Sequence, residues 1–530
     1  MGPATLICPL CNDKVERSVY AYHLGGERQV LERIKLTHPA WTENDGICLR
    51  CVDYYHTEIV MQQRILPEIG PHFPVKSADD FIILPTGLRL NADQRFTGKN
   101  ITICFIDSGF YPHPDLVSTR NRIKAAIDIS RADNPNYLNA IDQPGNDAWH
   151  GTMTSVVCAG DGYLGNGLYK GIACDAELVL LKVQDQQGAI TTDCIVKALQ
   201  WVLDNHQQYD IRIVNMSLGS DEAGSFRDSK IDLLAEILIA KGIIIVAAAG
   251  NDEKGLIRSP ANSPNVITVG GMDDENKLEH NSRLYHSSFG RTADDIQKPE
   301  LIAPAIWVAA PILPDTEEYI ESAMLHQQLQ SLQGEKSTST RSNIINRLQT
   351  CKYISKHYMH VDGTSFAAPI VTSIIAQLLE ANSELTPLAI REILFSTAHR
   401  IEGFPAERQG FGTIQPKKAI LKALRNQHKL PPGQSPFVNT GNKVIEFYVH
   451  HDWATEISLA GSFNNWGEEE LQMEPGRHGA WNINIPLLKP GRYYYKFRVD
   501  HTYWLEDVNN PLREPDGFDG FNSVLLINPQ

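Results

Sequence analysis

Three residue types that together make an activated nucleophile stand at the ends of apolar segments. They are Asp107 in Asp107-Ser108-Gly109, His150 in His150-Gly151-Thr152, and Ser365 in Gly363-Thr364-Ser365-Phe366-Ala367-Ala368-Pro369. A serine hydroxyl attacks poorly until a base takes its proton, and an imidazole base needs a carboxylate to fix its tautomer and stabilise its cation. Attack on a carbonyl creates an oxyanion. The side-chain amide of Asn251, after Ala248-Ala249-Gly250, is a suitable donor to it. A second set, Cys8-x2-Cys11 and Cys48-x2-Cys51, offers four thiolates for one tetrahedral zinc, with His23, His38 and His56 as possible substitutes. Four protein ligands leave no open position, so this zinc is expected to be structural and no catalytic metal is called for.

These residues need a frame. Ile101–Ile106, Leu178–Leu181, Ile211–Val214 and Ile243–Ala247 are short and nearly continuous in hydrophobicity, as strands covered on both faces are. Helical patterns alternate with them, which predicts an α/β fold with a doubly wound, mostly parallel sheet. Asp107 directly follows the first strand, so it is expected at the carboxyl edge of the sheet, where open α/β sheets bind ligands. His150 is expected at a helix start running through Ala159. Ser365 is expected just before a helix over Ile370–Leu379.

With the frame in place, the four motifs resemble those of the subtilisin-like serine peptidases, in chain order Asp, His, Ser, and His113-Pro114-Asp115-Leu116 adds to the likeness. The resemblance implies Asp107, His150 and Ser365 as catalytic triad and Asn251 as oxyanion-hole donor. It implies that Ser217, Leu218 and Gly219 form an edge pairing with an extended substrate backbone. Ala247, Ala248, Ala249 and Gly250 would line a specificity pocket. Peptides or proteins are therefore the implied substrates. Met153 stands where the family often has a second histidine. Cys158 lies on roughly the same helical face as His150, where the expectations are a reactive thiol or a buried structural one.

Punctuation and composition divide the chain into a zinc-ribbon-like module over 1–76, a peptidase domain over 84–425, a linker over 426–442 and a β-sandwich over 443–530. The insertion 311–360 carries Ile320, Met324, Leu325, Leu329 and Leu332 at helical spacing, which predicts an amphipathic helix serving as packing or as a lid. The last segment alternates in strand fashion. Its Gly461-Ser462-Phe463-Asn464-Asn465-Trp466, Tyr493–Asp500, Trp504 and Asn522-Ser523-Val524 resemble the glycogen-binding module of AMP-activated kinase β subunits and the early-set domain of isoamylases. The resemblance implies α-glucan binding by Trp466, Lys496, Trp504 and Asn522, with a protein partner or a purely structural role as alternatives.

The formal charge of −15 argues against wrapping nucleic acid or lying on an anionic membrane, and the longest apolar run, near Gly242–Gly250, is strand-sized. Paired Cys-x-x-Cys steps, and a start at Met1-Gly2-Pro3 without a secretory pattern, are read as a reduced, cytoplasmic setting. The residues give no reading on calcium. Taken together they predict a serine endopeptidase with a structural zinc module in front and a targeting module behind. The alternative is an inert carbohydrate- or protein-binding scaffold on the same fold.

Overall fold

Apolar runs this short and this continuous bury both faces only inside a layered sheet, and that is where they lie in a computed structural model of the chain. The structure describes residues 5–10, 14–16, 28–42, 45–64, 83–131, 145, 147–221, 223–278, 282–332, 339–425, 435–451, 454–467, 471–476 and 479–528.

The strands lie in the order Leu301–Pro304, Ile267–Asp273, Ile244–Ala248, Ile211–Met216, Thr102–Asp107, Glu177–Lys182, Ile123–Asp128, all parallel, with Arg283–Leu284 antiparallel beside Ile267–Asp273. Along the Thr102–Asp107 strand, Ile103 and Phe105 point into one core and Cys104 and Ile106 into the other. The first core is filled by Val156 of the Trp149–Ala159 helix and by Phe366, Ile370 and Ile374 of the Thr364–Ala381 helix. The second is filled by Ile195 and Leu199 of Thr192–Tyr209 and by Ala235 and Leu238 of Lys230–Ala240. The chain reverses its direction of strand addition between the Thr102 and Ile211 strands, and Asp107 and Ser217 sit where those two strands end.

Four expectations are revised. The helix that carries Ser365 starts at Thr364, so Ser365 lies inside its first turn rather than before it. That helix is also long and apolar enough to cross a membrane, but it is buried in the core, against the sheet. In the insertion, the Glu317–Ser331 helix buries Ser322, Leu325 and Leu329, while Ile320 and Met324 stay 61% and 48% exposed. Its buried stripe is thus narrower than the apolar spacing implied. It packs with Ile344, Leu348, Tyr353 and Tyr358 in a core of its own, beside the antiparallel sheet Val308–Pro311, Tyr358–Val361, Tyr353–Ser355. Finally, Phe437–Asn439, within the stretch read as linker, pairs as a strand with Val444–His450 and belongs to the sandwich.

The sandwich is docked onto the α/β domain. Arg400 makes a bidentate pair with Glu506 at 2.8 and 2.9 Å. Arg513 is buried between the rings of Phe411 and Phe521 and donates to the carbonyls of Pro299 and Gln297.

Candidate active site

Asp107 is the last residue of its strand and is almost fully buried. Its Oδ1 accepts from His150 Nδ1 at 2.7 Å and from the backbone N–H of Ser108 at 2.7 Å, and its Oδ2 accepts from Thr154 Oγ1 at 3.1 Å. The histidine helix comes this close because residue 151 is glycine: a Cβ there would lie 2.3 Å from the carbonyl oxygen of Gly109. With Nδ1 held by the carboxylate, Nε2 is the nitrogen left for chemistry. Burial pushes the His150 pKa down, but the charge of Asp107 and its hydrogen bond together outweigh that, and the net shift is upward.

Ser365 is placed by its helix and by the neighbouring strand end. Ser217 Oγ donates to the Ser365 carbonyl at 2.8 Å, and Ser365 Oγ donates to the Ser217 carbonyl at 3.4 Å. Among the described hydrogen bonds none joins Ser365 to His150. The rings of His150 and Phe366 are 6.1 Å apart, so the start of the Thr364–Ala381 helix lies near the imidazole. Rotation about the serine Cα–Cβ bond releases the hydroxyl from the Ser217 carbonyl.

Asn251 follows the Ile244–Ala248 strand. Its Oδ1 accepts from both the N–H and the hydroxyl of Thr364, at 2.7 and 2.9 Å, which fixes the flip of the amide and leaves Nδ2 as a directed donor. The Thr364 hydroxyl also accepts from the N–H of Gly250 at 3.2 Å. Thr364 therefore ties the strand end and the amide to the turn that carries Ser365, a role that its position in the motif did not reveal.

Of the sequence-derived substrate residues, Leu218 and Gly219 continue from the Ile211–Met216 strand, and no hydrogen bond of their backbone groups is found among the described residues. Such an edge can add one more strand. Ala248, Ala249 and Gly250 run beside it; Gly250 has φ +105°, and a Cβ there would meet Ser288 Oγ at 2.8 Å. The thiol of Cys158 is fully buried, and burial raises its pKa far above the usual thiol range, so it is the structural alternative that holds.

Outside the cleft, the Sγ atoms of Cys8, Cys48 and Cys51 lie within 4.8 Å of one another and all three residues are buried. Cys11 and His23 lie outside the described residues. His38 is engaged with Tyr55 and Thr37, and His56 is exposed on the Leu49–Arg64 helix, so neither joins the cluster. On the sandwich, Trp466 and Trp504 are 39% and 46% exposed and meet edge to face at 6.1 Å, with the Arg498 guanidinium 5.9 Å over Trp504. Lys496 is paired with Asp516, and Asn522 neighbours Ser523, the cross-strand partner of Tyr495. The two rings are thus available, whereas the lysine charge is already satisfied.

Residues 98–412 match the Subtilase family profile, and residues 435–515 match carbohydrate-binding module 48, the isoamylase N-terminal domain. The chain is similar to the serine protease AprX of Bacillus subtilis, with 28% identity over 62% of this chain and 67% of that protein. It is also similar to the minor extracellular protease Epr of the same organism, with 26% identity over 61% of this chain and 38% of that one. Among solved structures, fervidolysin from Fervidobacterium pennivorans, a keratinolytic enzyme related to subtilisin, superimposes with a TM-score of 0.48 and 18% identity, over 79% of this chain and 56% of that one.

Proposed function

The chain belongs to the subtilase family and carries a subtilisin-like serine endopeptidase domain, and we propose that it hydrolyses peptide bonds through an acyl-enzyme formed on Ser365. The observation that carries this reading is the His150 Nδ1–Asp107 Oδ1 hydrogen bond at 2.7 Å beside a serine in the first turn of a helix. In the proposed reaction, a peptide pairs with the Leu218–Gly219 edge and its scissile carbonyl approaches Ser365. His150 Nε2 takes the hydroxyl proton as the Oγ–C bond forms. The electron pair moves to the carbonyl oxygen, where Asn251 Nδ2 and the first-turn N–H of Ser365 receive it. His150 then gives the proton to the leaving amine, and the same base activates the water that cleaves the ester. Asp107 holds the imidazole through Nδ1 and stabilises the imidazolium. An inert scaffold would have no need of an amide held in one orientation by two donors.

Asn251→Ala is expected to lower kcat by about 10^2 to 10^3 with KM for a small peptide nearly unchanged, because the lost donor acts on charge that exists only in the transition state. Steady-state kinetics on a chromogenic peptide checks this. A variant whose loss fell on KM alone would place Asn251 in ground-state binding.

We propose that the end modules are a structural zinc site and an α-glucan contact. The distance from Cys8 Sγ to Cys51 Sγ is 3.9 Å, close to the edge of about 3.8 Å for a tetrahedron with zinc–sulfur bonds of about 2.3 Å. Cys48 Sγ also accepts from the N–H of Cys51 at 3.4 Å, which suits a thiolate. Such a cluster fits a reducing compartment, and we place the protein in the cytosol on that ground. Trp466→Ala with Trp504→Ala is expected to abolish retention on glycogen resin while leaving hydrolysis of a small peptide unchanged, since stacking rings supply the sugar contact. Equal retention of wild type and double variant would favour a protein-contact role for the module.

A further inference from the structure

The thiol cluster is wired to the nucleophile turn. Arg50, between Cys48 and Cys51, is buried; it donates to the Leu88 carbonyl at 3.3 Å and also to the Arg89 carbonyl. Arg89 is itself buried. Its guanidinium pairs with Asp274 and donates to the carbonyls of Leu84 at 3.2 Å and Trp307 at 2.5 Å. Arg89 thereby joins three separate stretches of chain, those of Arg50, Asp274 and Trp307.

Trp307 holds an unusual backbone. Its φ of +62° is left-handed, a region that bulky side chains enter only where their surroundings over-determine them. The surroundings here are three hydrogen bonds: Arg89 on the carbonyl, Asp273 accepting from Nε1 at 2.7 Å, and His360 Nε2 accepting from the backbone N–H at 3.1 Å. The Trp307 and His360 rings also stack at 5.3 Å and 4°. Burial lowers the His360 pKa to about 4, which keeps Nε2 an acceptor at neutral pH.

His360 lies on the Tyr358–Val361 strand, which leads directly into Gly363-Thr364-Ser365 and pairs with Val308–Pro311 immediately after Trp307. The N–H of Gly363 donates to the Ala305 carbonyl at 2.7 Å. The strained 305–307 bend therefore holds the nucleophile turn at two points, five and two residues before Ser365, through His360 and Gly363.

We propose that Arg50 and Trp307 are positioning residues for Ser365, and that metal in the thiol cluster sets how firmly they hold it. The second half of this inference rests on the zinc reading of the cluster. With the cluster closed around a divalent cation, Arg50 stays on the Arg89 carbonyl and the bend keeps its left-handed form. With the cation removed, Arg50 is released, the bend relaxes and the turn drifts from Asn251 and His150. The peptidase is then a metal-responsive enzyme whose metal lies outside the cleft.

The test uses the full chain. Zinc content is measured first, then kcat and KM on a small peptide and amide hydrogen exchange over residues 305–308 and 358–365, before and after a zinc chelator. For wild type, chelation is expected to remove the zinc, lower kcat about tenfold at unchanged KM, and speed exchange in both segments; tenfold is the rate equivalent of relaxing one strained residue. Arg50→Ala is expected to keep its zinc, start at the lowered kcat and no longer respond to chelator, with Arg50→Lys restoring part of the response. Wild type that gives up zinc with kcat and exchange unchanged overturns the coupling and leaves the zinc reading intact. Wild type that holds no metal overturns the zinc reading, and the control with it. If Arg50→Ala does not fold, Arg50→Lys and the wild-type exchange data decide the same question.

Discussion

Ser365→Ala and His150→Ala are each expected to lower kcat by on the order of 10^6, and the double variant to be no worse than either alone. That magnitude is taken from a subtilisin rather than derived from this geometry. The non-additivity follows from the proposed mechanism. In the proposed reaction the hydroxyl proton goes to His150 Nε2, since Nδ1 is bound to Asp107 at 2.7 Å. Removing the base leaves a hydroxyl whose acceptor among the described residues is the Ser217 carbonyl, and removing the hydroxyl leaves a base with nothing to deprotonate. What survives in all three variants is substrate alignment on the Leu218–Gly219 edge and the donors of Asn251 and the helix start. Active-site-free protein controls and kcat measured at saturating peptide check this. Losses that multiply in the double variant would mean that the two residues act in separate steps.

Asp107→Asn is the second large effect, a loss of about 10^4 in kcat at neutral pH. An amide of the same shape can present its NH2 to Nδ1, which would turn the imidazole to the tautomer with its proton on Nε2, where it cannot accept from Ser365. The same substitution has a distinct signature in pH. His150 must be neutral to act, so wild-type kcat/KM is expected to fall as pH drops through an inflection above 6.5, in the direction of the raised pKa. With the carboxylate gone, burial is the force that remains, and the inflection moves below 6.5. A pH profile of kcat/KM for both proteins reads this shift. An inflection that stayed in place would assign the titration to another group.

The proposed catalytic residues stand out in the sequence because each lies at the junction of an apolar run and a turn, where a polar side chain has a reason to be beside chemistry rather than inside a core. Parallel strands were legible for the same reason, since a run such as Ile244–Ala248 has no polar face to expose. Cooperation between residues distant in sequence was not. Thr364 reads as a helix-start threonine, and nothing in the motif says that its hydroxyl fixes the Asn251 amide 113 residues away. Thr154, likewise, looks like any helical threonine until the second oxygen of Asp107 is found 3.1 Å from it. The Arg50–Arg89–Trp307 chain has no sequence signal, because its links are side chains on carbonyl oxygens 39 and 218 residues apart and carbonyls are carried by every residue.

The end modules show the limit from the other side. Aromatic residues on short strands serve a core or a ligand equally well, and exposure alone separates Trp466 from Trp481. Lys496 was drawn into the sugar site by its charge, which the fold spends on Asp516. Ile320 and Met324 were drawn into the packed stripe of the insertion helix by spacing, yet the helix seals its small core with Leu325 and Leu329 and needs no wider face.

The central claim is an acyl-enzyme on Ser365, and a fluorophosphonate adduct located by peptide mass mapping tests it most directly. The account predicts one label per chain, on the peptide containing Ser365, absent from Ser365→Ala and strongly slowed in His150→Ala, with casein turnover lost in step. A label on another residue, or a Ser365→Ala protein that still cleaves casein, would contradict it.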